Sequence, residues 1–343
     1  MNSLTVAGRW NVNLHNLNNE GTEGNFVQPR TVTVVRNAAQ SPTESGSAAG
    51  AEDGEDDSYR PQLHAVNAIS GDMMKHIHAD YFRQIALDDG ADEIEEYDGP
   101  LPLSRNSIVF DPNRISTEKD MVEMLTDKDR SDAEIIDHVI EHCALTDVHG
   151  ILMTGKQRTV PRKSRVEFGW VVAVPEVSRT EHFIHTKYAR ENATKYKHEK
   201  DETNEGQALF HRPASSAEYA VIAHIEADKI GMNELTMESP ISKDARQARV
   251  TTSLRALVQT LMHPYGAGRS QQAPHVGGFR GVLISSNGRI PAATVSPLEE
   301  DFEEQAEQTV KHMNRLGGGL QLEKITSLPS LAEHVANLSE VQA

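Results

Sequence analysis

Two stretches of this chain carry reactive side chains at usable spacings. Residues 69–83 read ISGDMMKHIHADYFR. Ser70 is a candidate helix N-cap whose hydroxyl can accept from a first-turn N–H, and Asp72 suits the positive end of the helix that follows. First-turn N–H groups have no partner within a helix, so this end can seat a phosphate, with Lys75 and His76 adding donors. Met73, Ile77 and Tyr81 recur at helical spacing, so an amphipathic helix with a solvated polar face explains the same residues. The second stretch, His138-Val-Ile-Glu141-His142, matches H-x-x-E-H, the inverted zinc-peptidase motif. Its histidines lie at i and i+4, share a helix face and can hold one metal ion. Ile135, Ile136, Val139 and Ile140 are equally what a packed helix needs, and no downstream carboxylate is marked as a third ligand. His76 and His78 cannot join in one metal site on a helix, because residues two apart point about 200° apart.

A basic run follows further on. Residues 156–165, KQRTVPRKSR, hold five cations and no acid. Arg162, Lys163 and Arg165 can therefore present charge to a phosphate backbone, or simply line a solvated loop. The glycines at 266, 268, 277 and 278 allow a close backbone approach to phosphate, or a plain flexible turn. The sequence has no P-loop, no GxGxxG after a strand, no GxSxG and no Cys–His pair around Cys143.

The net charge is −17 over 343 residues, which is unusual for a nucleic-acid binder. The acid is clustered near residues 52–57, 88–98 and 299–304, whereas residues 150–275 hold 18 Lys and Arg against 14 Asp and Glu. A polyanion would thus be gripped on one face, and the general acidity also suits a saline cytoplasm. A single cysteine excludes an intrachain disulfide and a Cys-rich zinc site. No basic-then-apolar leader and no run near the roughly 20 apolar residues of a membrane span is present, so a cytoplasmic protein without a membrane partner is expected.

The elements that must position these residues follow from periodicity. Residues 4–17 alternate as a half-buried strand, with Gly8 marking a bulge or a close backbone approach. Residues 27–36 form a second strand, and 38–58 an acidic Ala/Gly/Ser-rich loop. After the helix that begins near Ser70, residues 88–102 read as an exposed loop. Residues 116–125 and 131–145 read as helices, the latter with a capping box from Ser131 to Glu134. Residues 166–174 make a strong strand, and 178–206 a polar protruding hairpin. A core strand begins at Tyr219 after a turn at 213–216. Residues 242–262 form a helix burying Ala245, Leu254, Leu257 and Leu261, with Arg246, Arg249 and Arg255 on other faces, ending at Pro264. A Gly-rich loop carries Arg269 and Arg280. Short strands at 282–285 and 290–295 precede terminal helices at 299–316 and 328–338. Strands interleaved with two crossing helices predict an α+β fold, for which a ferredoxin-like, RNA-recognition-motif core is economical.

Four segments in this order resemble the DevR-type CRISPR-associated family, the backbone subunit of type I (I-A and I-B) Cascade. They are Gly8-Arg9-Trp10 with Asn13; ISGDMMKH at 69–76; ALFHRPASSAEYA at 208–220; and YGAGRS at 265–270 with Pro274-His275. The resemblance implies a modified RNA-recognition-motif palm (1–85 and 207–298), an inserted helical finger domain (86–177), a β-hairpin thumb (178–206) and C-terminal helices (299–343). It implies a non-enzymatic subunit without cofactor that binds crRNA, lines up with further copies of itself and other Cascade subunits, and leaves bases free to pair with target DNA. Carried over by position, Arg9, Lys75, His76, Gly268, Arg269 and Ser270 would touch the guide backbone; charge adds Arg162, Lys163 and Arg165. Asp72 stands where the family pattern Gly-Asn-x-x-Lys/Arg-His has Asn. The rivals are a zinc hydrolase using His138, Glu141 and His142, and a type III-like backbone that cleaves target RNA. A DNA-binding regulator is a third, without a helix-turn-helix signature.

Overall fold

Strand β1 (Ser3–His15) lies inside the sheet between the strands Gln207–Ile225 and His275–Ser286, and most of its residues are buried. Its even residues, Leu4, Val6, Trp10 and Val12, join the main core, while Ala7 on the opposite face joins a second apolar cluster with Val282, Ile284 and Ala306. The half-buried expectation for this strand is therefore corrected. The 3–10 stretch is covered on both faces, because helix α5 (Phe302–Arg315) packs where solvent was expected. The computed structural model describes residues 1–37, 61–91, 101–103, 124–155, 158–188, 207–266 and 272–342. The expected loop at 38–58 and most of the expected loop at 88–102 and of the expected helix at 116–125 lie outside these residues.

After β1 come β2 (Asn19–Glu23), β3 (Phe26–Pro29), β4 (Thr31–Asn37) and β5 (Pro61–Ile69), and then helix α1 (Gly71–Asp88). Helices α2 (Asp132–His142) and α3 (Ala144–His149) and the hairpin β6 (Ile151–Thr154)–β7 (Thr159–Arg162) follow. Helix α2 and this hairpin enclose a satellite core of Ile135, Ile136, Ile140, Met153 and Val160, while α3 packs Ala144, Leu145 and Val148 into the main core. The capping box at Ser131 is formed in both directions, as its sequence predicts. The chain then returns to the sheet through β8 (Val166–Phe168) and β9 (Val171–Tyr188), turns into β10 (Gln207–Ile225), and crosses on α4 (Lys243–Met262) to β11 (His275–Ser286). After α5 come β12 (Leu320–Ile325) and α6 (Leu328–Gln342). The sheet order is β12-β11-β1-β10-β9-β5-β4, with antiparallel neighbours throughout.

Several sequence expectations are revised by the ladder. No turn interrupts 213–216: β10 runs unbroken, with Pro213 opposite His182. The ladder from β1 ends at Ser215, so Pro213 lies where β10 has lost that neighbour, a place where a missing N–H is tolerated. Residues 178–188 pair with 207–217, so the partner of the first arm lies beyond the 178–206 bounds expected for the hairpin; residues 189–206 fall outside the described residues. Residues 275–281, expected as a Gly-rich loop, are strand. Gly8 pairs with Gly281, and a Cβ on Gly281 would fall 2.3 Å from the Ala7 carbonyl oxygen. Residues 290–295 form no strand, and β12 separates the two terminal helices. On α4, Arg249 is buried rather than displayed, and Arg246 donates to the carbonyls of Ile230 and Asp228. No helix among the described residues is long and apolar enough to cross a membrane.

Candidate nucleic-acid interface

Helix α1 begins as its sequence requires. Ser70 is the N-cap, and its Oγ accepts from Met73 N–H at 3.2 Å. Gly71 is obligatory for packing: a Cβ there would lie 2.2 Å from the Phe168 carbonyl oxygen, so α1 starts in direct contact with the β8 backbone. Ser70 N–H donates to Asn18 Oδ1 at 2.9 Å, which ties the helix start to the loop after β1. The same loop meets the end of α4: a Cβ on Gly266 would lie 2.1 Å from the Leu17 carbonyl oxygen. Tyr265 OH binds the Asp80 carboxylate, and Tyr81 OH meets His263 Nδ1 and donates to its carbonyl at 2.7 Å. Asn16, Leu17, Tyr265, Gly266 and Gln272 line a cavity of about 200 Å³ between these segments. The amide of Gln272 reaches the Pro213 carbonyl at 3.5 Å, at the root of the hairpin arms.

A buried polar chain fixes the floor. His15 Nδ1 accepts from Leu17 N–H at 3.3 Å, so Nε2 carries the proton and donates to Tyr219 OH at 2.5 Å. Tyr219 OH donates to Asn67 Oδ1 at 2.5 Å, and Asn67 Nδ2 donates to the Arg30 carbonyl at 3.1 Å. Burial lowers the His15 pKa to about 4 and raises that of Tyr219, so both groups are neutral. This chain locks β1, β10, β5 and the β3–β4 junction beneath the loop.

The expected contact residues separate into three groups. Lys75 and His76 project from the first turns of α1, Lys75 partly buried and His76 exposed. Burial lowers the Lys75 pKa, while the carboxylates of Asp72 and Glu167 oppose that shift. Lys163 is exposed. Gly268, Arg269 and Ser270 lie outside the described residues, in the segment that leaves from Gly266. Arg9, Arg162 and Arg165 turn inward instead. Arg9 donates from Nε to Pro297 O at 2.9 Å and from Nη1 to Glu218 at 2.9 Å. Arg162 pairs with fully buried Asp147, which also receives Arg249 Nη1 at 2.8 Å and Gly231 N–H at 2.9 Å. Arg165 forms an ion pair with Glu234 at 2.8 Å. Arg162 and Arg165 thus join α3 and the 226–234 segment, and only Lys163 of the three is exposed. An Arg with a carboxylate partner and carbonyl acceptors can be buried where an unpartnered cation cannot.

The histidines sit in unlike surroundings, His142 exposed on α2 and His78 buried on α1. His138 and His142 stack on α2 with ring centroids 4.0 Å apart, and His142 Nδ1 donates to the His138 carbonyl at 2.8 Å. Among the described residues no three His, Cys, Asp or Glu side chains are arranged to hold a metal ion. His78 is buried, bonded to His149 at 2.8 Å and to the Ser253 carbonyl at 3.0 Å, facing away from His76. The asparagines at 16 and 18 escaped the sequence reading. Their only local signal is a short run of turn-forming asparagines after a strand.

A central antiparallel sheet, helices on its faces and a polar loop cluster beside one helix N-terminus define an α+β protein. The sequence matches the family described as the CRISPR-associated negative auto-regulator DevR/Csa2 over residues 6–48 and 54–307, and the chain belongs to that family. It is 24% identical to the CRISPR-associated protein Cas7/Cst2/DevR of Methanocaldococcus jannaschii, covering 98% of this chain and 97% of that protein. It is 26% identical to the CRISPR-associated protein Cas7/Csa2 1 of Saccharolobus solfataricus, over 75% of this chain and 70% of that one. Among solved structures, a chain of a CRISPR RNA-guided surveillance complex in a pre-nicking state aligns over 99% of this chain and 100% of its own, at 12% identity and a TM-score of 0.48.

Proposed function

We propose that this protein is the backbone subunit of a CRISPR type I interference complex, a Cascade. It binds the crRNA backbone without regard to sequence, repeats along the guide and leaves the bases free to pair with target DNA. The observation that carries this reading is convergence. Three segments distant in sequence, at 16–18, 70–76 and 265–266, meet at one edge through the Ser70–Asn18 bond and the Gly266–Leu17 contact. Neutral donors and a helix N-terminus with Lys75 beside it suit phosphates, and contacts of this kind position a strand without reading it. The order β1–α1–β9–β10–α4–β11, with β11-β1-β10-β9 side by side, supports an RNA-recognition-motif palm. In this reading α2, α3 and the β6–β7 hairpin belong to the finger, and the β9–β10 arms carry the thumb. Lys75, His76, Lys163 and the 268–270 segment are the proposed guide contacts. Arg9, Arg162 and Arg165 support the scaffold behind them.

The test is purification after co-expression with a repeat-spacer RNA and the neighbouring Cascade subunits. A discrete guide-length RNA should co-purify and be lost when Lys75 and Arg269 are both changed to Ala. RNA-free protein from that co-expression would refute the proposal.

A further inference from the structure

A chain that repeats head to tail needs two unlike surfaces that fit each other. This inference rests on the backbone-subunit reading and names the surfaces by which copies meet. The first is the turn at 232–238. Asn233 is fully buried, and its Nδ2 donates to Ala133 O at 2.9 Å and to Asp137 at 2.7 Å. Its Oδ1 accepts from Leu235 N–H at 3.0 Å, and its backbone bridges to Glu238 and Met237 at 2.8 Å. Arg165 and Arg162 hold Glu234, and Arg162 also donates to the Met232 carbonyl. The turn is therefore rigid. Yet Leu235 is 61% and Met237 73% exposed, and Met237 has a φ of 59°, a left-handed conformation uncommon for a side chain of its size. Two apolar side chains are held in water on a fixed knob.

The second surface is an apolar cavity of about 400 Å³ walled by Val32, Val34, Trp170, Ile222 and Leu298. Arg9 secures one wall through its bonds to the Pro297 and Leu298 carbonyls. Arg30 lies 5.9 Å over the Trp170 ring, and its buried Nε has no hydrogen-bond partner among the described residues. We propose that Leu235 and Met237 of one copy seat in this cavity of the next copy, with exposed Glu238 facing Arg30. Three features argue for a second copy as the occupant. Both surfaces are apolar at the centre, the cavity has room for two aliphatic side chains, and the acid beside the knob complements the cation beside the hole. The two surfaces share no residue, so every copy can offer both at once.

The experiment uses the full chain co-expressed with its guide RNA and partner subunits. Oxidising assemblies that carry both Val34→Cys and Leu235→Cys should give a ladder of disulfide-linked copies, absent with either change alone. Arg30→Glu should reduce the copies retained per guide at least twofold, and adding Glu238→Arg should restore them, an outcome that misfolding cannot produce. Assemblies that form normally on the guide but give no ladder and tolerate Arg30→Glu would overturn this contact and leave the backbone reading standing. A wild-type chain that never forms a multi-copy assembly on RNA would overturn both.

Discussion

His15 makes the stability of this protein sensitive to acid in a calculable way. Its ring is buried between β1 and β10, and burial lowers its pKa from 6.5 to about 4. Between those values the unfolded chain binds a proton that the folded chain does not. Stability therefore rises with pH across that window and is lost as pH falls through it. The full displacement corresponds to roughly 3 kcal/mol, of which about 2 kcal/mol is already lost between pH 7 and pH 5. The many carboxylates also titrate in acid, so the informative quantity is a difference between two proteins. In His15→Gln the amide can still donate to Tyr219 and accept from Leu17 N–H, but it does not titrate. The stability advantage of wild type over this variant should shrink by about 2 kcal/mol from pH 7 to pH 5. His78, whose pKa burial also lowers to about 4, and His149, lowered by burial and by His78, are present in both proteins and cancel. Urea unfolding followed by the fluorescence of the tryptophans, including buried Trp10, measures it. An advantage that stays constant over this range would refute the assignment of a neutral, proton-excluding His15.

Asp147→Ala strands Arg162 and Arg249 as buried cations and should cost about 3–5 kcal/mol in urea unfolding; a loss under about 1 kcal/mol would show that water reaches the cluster. Gly71→Ala forces α1 away from the Phe168 carbonyl and should cost about 1–3 kcal/mol while weakening guide retention. An unaltered melting temperature would deny that close approach. Lys75→Ala should weaken guide binding equally for unrelated spacer sequences and reduce the salt slope by about one counterion. Arg162→Ala should instead lower the melting temperature and leave the salt slope unchanged. The opposite pattern in filter binding across salt concentrations would return Arg162 to the RNA.

Local signals carried much of this fold. Ser70 and Ser131 each announced a helix start, and each does cap one, because a cap is made within four residues. Long-range pairing was less legible. Gly281 read as loop because glycine is flexible, yet its lack of a side chain lets β11 press against β1 at Gly8. Pro213 read as a turn, although proline is also tolerated where a strand has lost one neighbour. The arginines misled most. A run with five cations and no acid looks solvated when only neighbours in sequence are counted. The carboxylate that buries Arg162 lies 15 residues earlier, and the second arginine it binds lies 102 residues later. Drawing arginines inward also changes how a chain of charge −17 could hold a polyanion. Among the described residues the proposed interface keeps Lys75, His76 and Lys163, so backbone N–H groups, asparagine amides and the start of α1 would add to the grip. Such dipolar contacts would release no counterions, so in the proposed reading an acidic chain can still hold a polyanion on one face.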